Sequence, residues 1–361
     1  MEAVVELLRG ALRPLFVWGA GIRPYRDSSL ALARSLGVPV ACTWGAIDLM
    51  NHYDPLMSGA FGTHGTRAAN LAVQNAELLV CIGARLDTKA TGTPSDFAPK
   101  AKIVMVDIDQ AEIDKMPKVG RPIDIGLCMD AGEFISELSS LTLAISAHDL
   151  NSSTWNYRAW EAWRNQIIGW KEQYKPEGPA YDLMQQISTH TKPDDIIVSD
   201  TGNTLGWIMQ GFPFKGERFI HAFNFTPMGY GLGAAVGASF ASGHRIIAIV
   251  GDGGALVSIN ELATIARNDL NIKIILLNNE GHSMCRFTQR QWLGGKYYAT
   301  SLEGGLGFPE WVPLAESFGI ESKDFFHPAW LFDGNRPKFV EVDIDPNESL
   351  AFQVRFGEAL A

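Results

Sequence analysis

The stretch that decides the fold runs from Arg245 to Met284 and reads RIIAIVGDGGALVSINELATIARNDLNIKIILLNNEGHSM. It contains two apolar runs, Ile246–Val250 and Ile272–Leu277, each typical of a strand buried on both faces. A helix is predicted between them, from about Ser258 to Arg267. This order of strand, helix and strand predicts neighbouring parallel strands in an α/β sheet.

A polar, glycine-rich cluster follows each of these strands. The first contains the glycines Gly251, Gly253 and Gly254, which are expected to let an anion approach the backbone amides. Parallel strands lie about 4.8 Å apart and end at the same edge, so Asp252 and Asn279 are predicted to converge on one ion. A carboxylate, an amide oxygen and a backbone carbonyl suit Mg²⁺ or Ca²⁺, with phosphate oxygens and water completing the shell.

A simpler interpretation is a sheet with glycine turns and two asparagines that cap a helix. It explains the residue types but not the interval of 27 positions between Asp252 and Asn279. GDG followed by NN at this interval resembles the motif of thiamine diphosphate (ThDP) enzymes. On this resemblance, Asp252, Asn279 and the Gly281 carbonyl are Mg²⁺ ligands. The segment SDTGNTLGW looks like the loop whose amides, here those of Gly202 and Asn203, bind the cofactor diphosphate.

The segment NFTPMGYGLGAAVGASFA resembles the part of acetolactate-synthase-like enzymes that lies under the cofactor rings. The resemblance makes Met228 the apolar residue that bends the cofactor, and the Thr226 carbonyl the acceptor for its 4′-amino group. An ordinary packing role for Met228 is the alternative, because methionine readily fills gaps in cores.

Residues 1–135 resemble the middle domain of the same enzymes, chiefly through FGTHGTRAANLAVQNAELLVCIGARLDTKATG and KIVMVDID. In some members this domain holds FAD in a non-redox role, and other members bind no flavin, so FAD is a possible cofactor. The residues in similar places are Gly62, His64, Gly83, Arg85 and Asp107.

We therefore predict an α/β chain with two doubly wound parallel-sheet domains, residues 1–140 and 178–361, and a connector at 141–177. Four tryptophans at one helix face in the connector, Trp155, Trp160, Trp163 and Trp170, favour packing over ligand binding. Further strands are predicted at Pro14–Ala20, Val38–Thr43, Ala76–Ile82, Lys102–Ile108, Ile196–Ser199, Arg218–His221 and Lys338–Val342.

The composition excludes several classes of protein. A formal net charge of −10 without a basic cluster argues against a nucleic-acid surface. The longest apolar runs fall short of the roughly 20 residues that cross a membrane. The N-terminal segment is typical of a surface helix rather than a signal peptide. The 4 cysteines have no CxxC spacing, which suits reduced thiols and a cytoplasmic location.

Enzymes with these motifs normally begin with a domain that binds the pyrimidine ring and carries an activating Glu. The sequence begins where the middle domain begins and contains no His-Glu pair of the kind that marks that Glu. We expect a partner subunit with this pyrimidine-binding domain, in a hetero-oligomer with at least two copies of this chain. The expected activity is that of a split lyase or transferase that is active only with its partner.

The resemblance implies decarboxylation of a 2-oxo acid such as pyruvate and transfer of the acyl unit to a carbonyl acceptor. The segment Asn278–Gly281, which carries two of the predicted metal ligands, is called the metal loop below. Candidate pocket residues after the metal loop are His282, Met284, Arg286, Gln289 and Gln291. Arg286 or Gln289 is expected to face the acceptor, or else to lie on a solvated helix face.

Three other functions stay open. One is a 2-oxo acid decarboxylase or decarboxylating oxidase, and another is a non-catalytic ThDP-binding scaffold. The third is a pair of nucleotide-binding modules, which is disfavoured because neither GxGxxG nor GxxxxGK[ST] follows a strand.

Overall fold

The computed structural model describes residues 1–148, 155–355 and 357–361, with the backbone alone for 145–148. The chain forms two compact units. The first comprises Met1–Pro176 and Phe352–Ala361, and the second comprises Glu177–Ala351.

The first unit contains a six-stranded parallel sheet. Its strands are β1 (Pro14–Trp18), β2 (Val40–Cys42), β3 (Met57–Ala60), β4 (Leu78–Ile82), β5 (Lys102–Asp107) and β6 (Ile125–Cys128). Its helices are α1 (Glu2–Gly10), α2 (Arg26–Leu36), α3 (Arg67–Asn75), α4 (Thr88–Thr91), α5 (Gln110–Lys118), α6 (Ala131–His148) and α7 (Tyr157–Gln173). The strand order is β3-β2-β1-β4-β5-β6, and the central strands β1 and β4 are buried along their whole length.

The tryptophans of α7 pack in the core of the first unit. Trp160 and Trp163 are buried, and their indole N–H groups donate to the carbonyls of Ala11 at 2.8 Å and Pro14 at 3.1 Å. The packing interpretation of these residues is confirmed. The segment 141–177 was expected to be a connector, but its helix belongs to the first unit because of this burial. Residues 149–154 of that segment lie outside the described part of the chain.

The last residues of the chain also belong to the first unit. Val354 and Leu360 are buried in its apolar core. The Val354 N–H donates to the Thr63 carbonyl at 3.0 Å, and Asn70 Nδ2 donates to the Leu360 carbonyl at 3.1 Å. The structure thus differs from the expectation that residues 352–361 are part of the second domain.

The second unit contains another six-stranded parallel sheet. Its strands are β7 (Ile196–Ser199), β8 (Arg218–Ile220), β9 (Ile246–Gly251), β10 (Ile272–Asn278), β11 (Glu321–Lys323) and β12 (Lys338–Asp343). Its helices are α8 (Pro179–His190), α9 (Asn203–Gly211), α10 (Tyr230–Ser242), α11 (Asp252–Val257), α12 (Glu261–Arg267), α13 (Ser283–Trp292), α14 (Trp311–Ser317) and α15 (Pro328–Leu331).

The strand order of the second sheet is β11-β12-β10-β9-β7-β8. The chain leaves β7 toward β8 on one side and later enters β9 on the other, so the order reverses between β7 and β9. In open α/β sheets, ligands bind at the carboxyl ends of the strands that flank such a reversal. The topology therefore places the candidate site at the ends of β7, β9 and β10.

The structure confirms the fold class, with two parallel sheets flanked by helices. Each predicted strand agrees with an observed one to within two residues at either end. The strands β3, β6 and β11 were missed, and all three lie at sheet edges. The helix expected from Ser258 is wrong at its start, because α11 begins directly after β9, at Asp252, and α12 at Glu261.

In the described part of the chain, no helix is both long enough and apolar enough to cross a membrane.

Candidate cofactor and metal site

Asp252 lies at the carboxyl end of β9, where its side chain is 2% exposed. Its Oδ2 atom accepts hydrogen bonds from the backbone N–H groups of Asn279 at 3.2 Å and Gly281 at 3.0 Å. Burial raises the pKa of the Asp252 carboxyl, and hydrogen bonds from Gly281, Gly253 and Asn279 partly oppose that shift. The start of α11 and the loop after β10 are therefore joined through one buried carboxylate.

The side-chain amide of Asn279 lies beside the Asp252 carboxylate and the Gly281 carbonyl. One of its terminal atoms is 2.8 Å from the Gly281 carbonyl oxygen and 3.2 Å from Asp252 Oδ2. The surrounding groups favour nitrogen at this position, because it then donates to both oxygens while the amide oxygen accepts from the Ser283 hydroxyl. With the amide oxygen at this position instead, it would join these two oxygens as a third ligand for a cation.

The spacing of these oxygens fits octahedral Mg²⁺. Bonds of about 2.0–2.1 Å at right angles place neighbouring ligand oxygens about 2.9 Å apart. The donor set is one carboxylate, one amide and one carbonyl, as expected for a hard cation that also binds phosphate oxygens. Across residues 1–148, 155–355 and 357–361, no cluster of three His, Cys, Asp or Glu side chains is placed to hold a metal.

The glycines after β9 make room for protein groups. A Cβ atom at Gly253 would lie 2.4 Å from the imidazole of His282. A Cβ atom at Gly254 would lie 2.6 Å from Cγ of Asp200. The role of both glycines in opening the backbone to an anion stays a prediction. Gly251 has more room, since the nearest atom to a Cβ added there is Thr204 Oγ1, at 3.3 Å.

The predicted diphosphate loop follows β7. Gly202 has a φ of +88° and nothing within 4 Å of an added Cβ, so its surface is open. Asn203 is the first residue of α9 and is buried. Free N–H groups at the start of a helix attract phosphate, and this helix start borders the same cavity as the metal loop.

The predicted ring-side segment precedes α10. Thr226 has a φ of +47°, which is unusual for a residue with a branched side chain. Met228 is 38% exposed, and its Cε lies 3.1 Å from the position of an added Cβ at Gly253. Met228 is therefore not an enclosed core residue, and its methyl end lies beside Gly253, the residue after Asp252.

These segments enclose one cavity of about 270 Å³ in the second unit. The predicted residues that line it are Gly202, Asn203, Thr226, Met228, Gly251, Asp252, Gly253, Gly254, Asn279, Gly281, His282 and Met284. The structure thus brings the predicted metal, diphosphate and ring-side residues together.

Two predicted substrate residues lie elsewhere. Arg286 is buried, and its Nη2 atom donates to the Asn279 carbonyl at 3.2 Å and to Ser283 Oγ at 3.0 Å. Gln289 donates to the Tyr298 carbonyl and accepts from the Thr300 hydroxyl. Both side chains are engaged in holding the loops around α13, so the structure does not support the expectation that either faces an acceptor.

Several cavity residues were missed by the sequence analysis. They are Asp200, Thr201, Thr204, Trp207, Leu277, Ser283 and Cys285. Asp200 had a detectable signal, because it ends an apolar strand just as Asp252 does. The four cysteines are free thiols, with Cys285 exposed.

The residues expected to contact FAD lie at the carboxyl edge of the first sheet. A Cβ at Gly62 would lie 2.4 Å from the Lys89 carbonyl oxygen, and one at Gly83 would lie 2.7 Å from Gly21 Cα. His64 packs edge-on against Trp44, with ring centroids 5.4 Å apart. These glycines therefore accommodate neighbouring backbone.

The other two residues expected to contact FAD, Arg85 and Asp107, lie at the same carboxyl edge of the first sheet. Arg85 pairs with Glu112 at 3.1 Å, and Asp107 accepts the Asp109 N–H at 3.0 Å. The C-terminal segment reaches the same region, since Gln353 Nε2 lies 3.2 Å from the ring of His64. These contacts identify the protein groups around the five residues, and FAD binding by this set stays a prediction.

Comparison with known families agrees with the geometry of both units. Residues 1–138 match the central domain of thiamine pyrophosphate enzymes, and residues 200–331 match their C-terminal TPP-binding domain. Thiamine pyrophosphate is another name for ThDP. The chain belongs to the family of thiamine pyrophosphate enzymes.

Within this family the chain is similar to acetolactate synthase large subunits. It is 31% identical over 330 residues to the large subunit of Parasynechococcus marenigrum, covering 89% of this chain and 51% of that protein. It is 32% identical to a probable large subunit of Methanocaldococcus jannaschii, covering 97% and 60% respectively. For isozyme 2 of Escherichia coli the identity is 30%, with coverage of 97% and 63%. The chain spans less than two thirds of each relative.

Proposed function

We propose that this chain anchors ThDP and Mg²⁺ in a carboligase that decarboxylates a 2-oxo acid, pyruvate, and passes the acyl unit to a carbonyl acceptor. The observation that supports it best is the convergence of Asp252 Oδ2, the Asn279 side-chain amide and the Gly281 carbonyl oxygen, with one amide atom 3.2 Å and 2.8 Å from the two oxygens. The similarity to acetolactate synthase large subunits supports the choice of reaction.

In this proposal each segment of the cavity has one task. Asp252, Asn279 and the Gly281 carbonyl hold the metal, and Gly202 with the start of α9 holds the diphosphate. Met228 supports the bent cofactor from below, while the Thr226 carbonyl orients its aminopyrimidine. When bound, ThDP supplies the electron sink for the pair left by departing CO₂.

The group that activates the cofactor is proposed to come from a partner subunit. Among the described residues around the cavity, the carboxylates are those of Asp200 and Asp252. Both already accept several backbone hydrogen bonds. These bonds fix both carboxylates to the backbone, and Asp252 is also a proposed metal ligand, so neither is proposed to exchange a proton with the cofactor. A Glu from a pyrimidine-binding domain fits this need, with two copies of each subunit as the simplest assembly.

The test is a measurement of CO₂ release from pyruvate with ThDP and Mg²⁺. The chain alone is expected to release none above background. Addition of a pyrimidine-binding subunit is expected to give turnover of about 1 s⁻¹ or faster. Ordinary turnover by the chain alone would contradict the requirement for a partner.

Product analysis of the reconstituted enzyme separates ligation from the alternatives. A carbon–carbon ligation product, such as a 2-hydroxy ketone or acetohydroxy acid, supports the carboligase. Free aldehyde supports a decarboxylase, and an oxidised acyl product supports an oxidase. The matched control is an Asp252→Ala chain with the same partner, which is expected to give no product because the metal loses its only charged protein ligand.

FAD binding by the first unit is a separate proposal, which rests on the resemblance of Gly62, His64, Gly83, Arg85 and Asp107 to the flavin-binding positions of related enzymes. The visible absorbance spectrum of the purified chain tests it. An equimolar flavin that copurifies with the chain would support this proposal, and the absence of flavin absorbance would contradict it.

A further inference from the structure

The Asp200 carboxylate lies where three segments of the second unit meet. It directly follows β7 and is 1% exposed. Its Oδ1 atom accepts from the N–H groups of Thr201 at 2.8 Å and Gly229 at 3.2 Å. Its Oδ2 atom accepts from the Gly231 N–H at 2.8 Å. Charge-assisted bonds to three backbone donors fix the position of the backbone that carries them.

Two of these bonds hold the start of α10. Gly229 follows Met228 directly, and Gly231 lies in the first turn of the helix. The third bond holds Thr201, which precedes the predicted diphosphate loop. One side chain therefore links the segment under the cofactor rings with the segment beside the diphosphate.

The same carboxyl group packs against the first turn of α11, which begins at Asp252. A Cβ atom at Gly254 would lie 2.6 Å from Cγ of Asp200 and 2.7 Å from its Oδ1. A Cβ atom at Gly231 would lie 3.2 Å from Oδ2 and 2.7 Å from Cγ1 of Val250. Glycine at 254 is thus required for Asp200 to keep its place.

We infer that Asp200 is a positioning residue, which locks the Met228 segment and the start of α11, with Asp252, into one arrangement so that the rings and the diphosphate of ThDP are held together. The inference rests on the proposed ThDP site. It assigns Asp200 no contact with the metal and no proton transfer. Its effect is on the backbone that carries the cofactor-binding residues.

The test compares two ligands on the purified full chain by calorimetry, Mg²⁺–ThDP and Mg²⁺–pyrophosphate. Pyrophosphate uses the metal and diphosphate contacts without the ring contacts. The Asp200→Asn variant can keep the oxygen that faces Thr201 and Gly229, but its NH₂ group then faces the Gly231 N–H. The start of α10 should loosen while the diphosphate loop stays in place.

The expected result for Asp200→Asn is a loss of ThDP affinity of at least about tenfold. Affinity for Mg²⁺–pyrophosphate is expected to change less than about threefold. An unchanged ThDP affinity, or an equal loss for both ligands, would overturn the positioning role. Failure of the unmodified chain to bind Mg²⁺–ThDP would instead overturn the proposed function.

Asp195 offers a matched control at the opposite end of β7. It is also buried, and its Oδ2 lies 2.6 Å from Nη2 of Arg245 in an ion pair. The Asp195→Asn variant loses a buried carboxylate of the same strand without touching the cavity. It is expected to lower stability and to leave both ligand affinities unchanged. A selective loss of ThDP affinity in this control would show that general loosening of β7 is sufficient.

A second variant leaves the Asp200 carboxylate in the chain but displaces it from its position. In Gly254→Ala the new methyl group must displace the Asp200 carboxyl, so ThDP affinity is again expected to fall at least about tenfold. In an Asp200→Ala background the displaced group is absent. The double variant should then lose no more affinity than Asp200→Ala alone. Additive losses would show that Gly254 acts independently of Asp200.

Discussion

The glycines at 253 and 254 are required by their protein neighbours. The imidazole of His282 fills the space at Gly253, and the carboxyl of Asp200 fills the space at Gly254. A GDGG segment at a strand end predicts close approach of an anion, which is the expectation we drew from the sequence. The true neighbours come from distant parts of the chain, so no local pattern could reveal them.

A methyl group at position 253 should weaken cofactor binding. In Gly253→Ala the new Cβ would lie 2.4 Å from the His282 ring, so the ring must move away from the metal loop. We expect the affinity for Mg²⁺–ThDP, measured by calorimetry, to fall at least about tenfold. Gly237→Ala is the control, since nothing lies within 4 Å of an added Cβ in that helix. Unchanged binding by Gly253→Ala would contradict the observed packing.

His64 should make the stability of the first unit depend on pH. Burial, with a smaller effect of Lys89, lowers the pKa of His64 from 6.5 to about 4. The unfolded chain therefore binds a proton between these values that the folded chain does not, and stability falls as pH drops from 6.5 toward 4. The full loss is at most about 3 kcal/mol.

The check is urea unfolding of the unmodified chain and of His64→Gln at several pH values across this window. The free energy of unfolding should fall less steeply in the variant. Equal slopes for the two proteins would show that His64 has the same pKa in the folded and the unfolded chain, which would contradict this prediction.

All the central strands were predicted from the sequence, whereas of the four edge strands only β8 was. Central strands are apolar on both faces and are bounded by polar residues, so their pattern is clear. The missed strands β3, β6 and β11 are edge strands with small or polar residues, reading MSGA, IGLC and ESK. Their pairing comes from the neighbouring strand rather than from their own hydrophobicity.

The helix α13 shows the same limit at the candidate site. Its position after the metal loop was readable, and Met284 does line the cavity. The direction of Arg286 was not readable, because it depends on how the helix is rotated against the loop. In the structure this side chain turns back to the Asn279 carbonyl.

Removal of the Arg286 side chain should therefore weaken the metal site. In Arg286→Met the Asn279 carbonyl and Ser283 hydroxyl lose a charged donor. We expect the Mg²⁺ concentration needed for half-maximal ThDP binding to rise about tenfold. Arg290→Met, on an exposed position of the same helix, should leave it unchanged. A normal Mg²⁺ requirement in Arg286→Met, with a raised KM for the acceptor, would favour the original expectation of a substrate contact.

At the scale of the whole chain, the two α/β units were predictable and their boundaries were only partly so. The strand–helix alternation is a local property, and it marks each unit. The C-terminal segment joins the first unit through a few long-range contacts, such as that of Leu360 with Asn70. Few apolar residues carry these contacts, so their destination is not encoded in a periodic pattern.

Deletion of residues 352–361 should destabilise the first unit. Val354 and Leu360 are buried in its core, and each buried side chain of this size contributes about 1.5–3 kcal/mol. We expect faster hydrogen exchange in the backbone amides of β3 and β4. Leu360→Ala should show a smaller change in the same strands, and unaltered exchange in the deletion variant would place the segment outside the core.

The metal dependence of cofactor binding tests the central claim most directly. Calorimetric titration of ThDP into the purified chain, with and without Mg²⁺, should show at least about a tenfold gain in affinity from the metal. In Asp252→Asn this gain should disappear, because the metal loses its only charged protein ligand. Equal ThDP affinity with and without Mg²⁺, or an undiminished gain in Asp252→Asn, would contradict a site built on Asp252, Asn279 and Gly281.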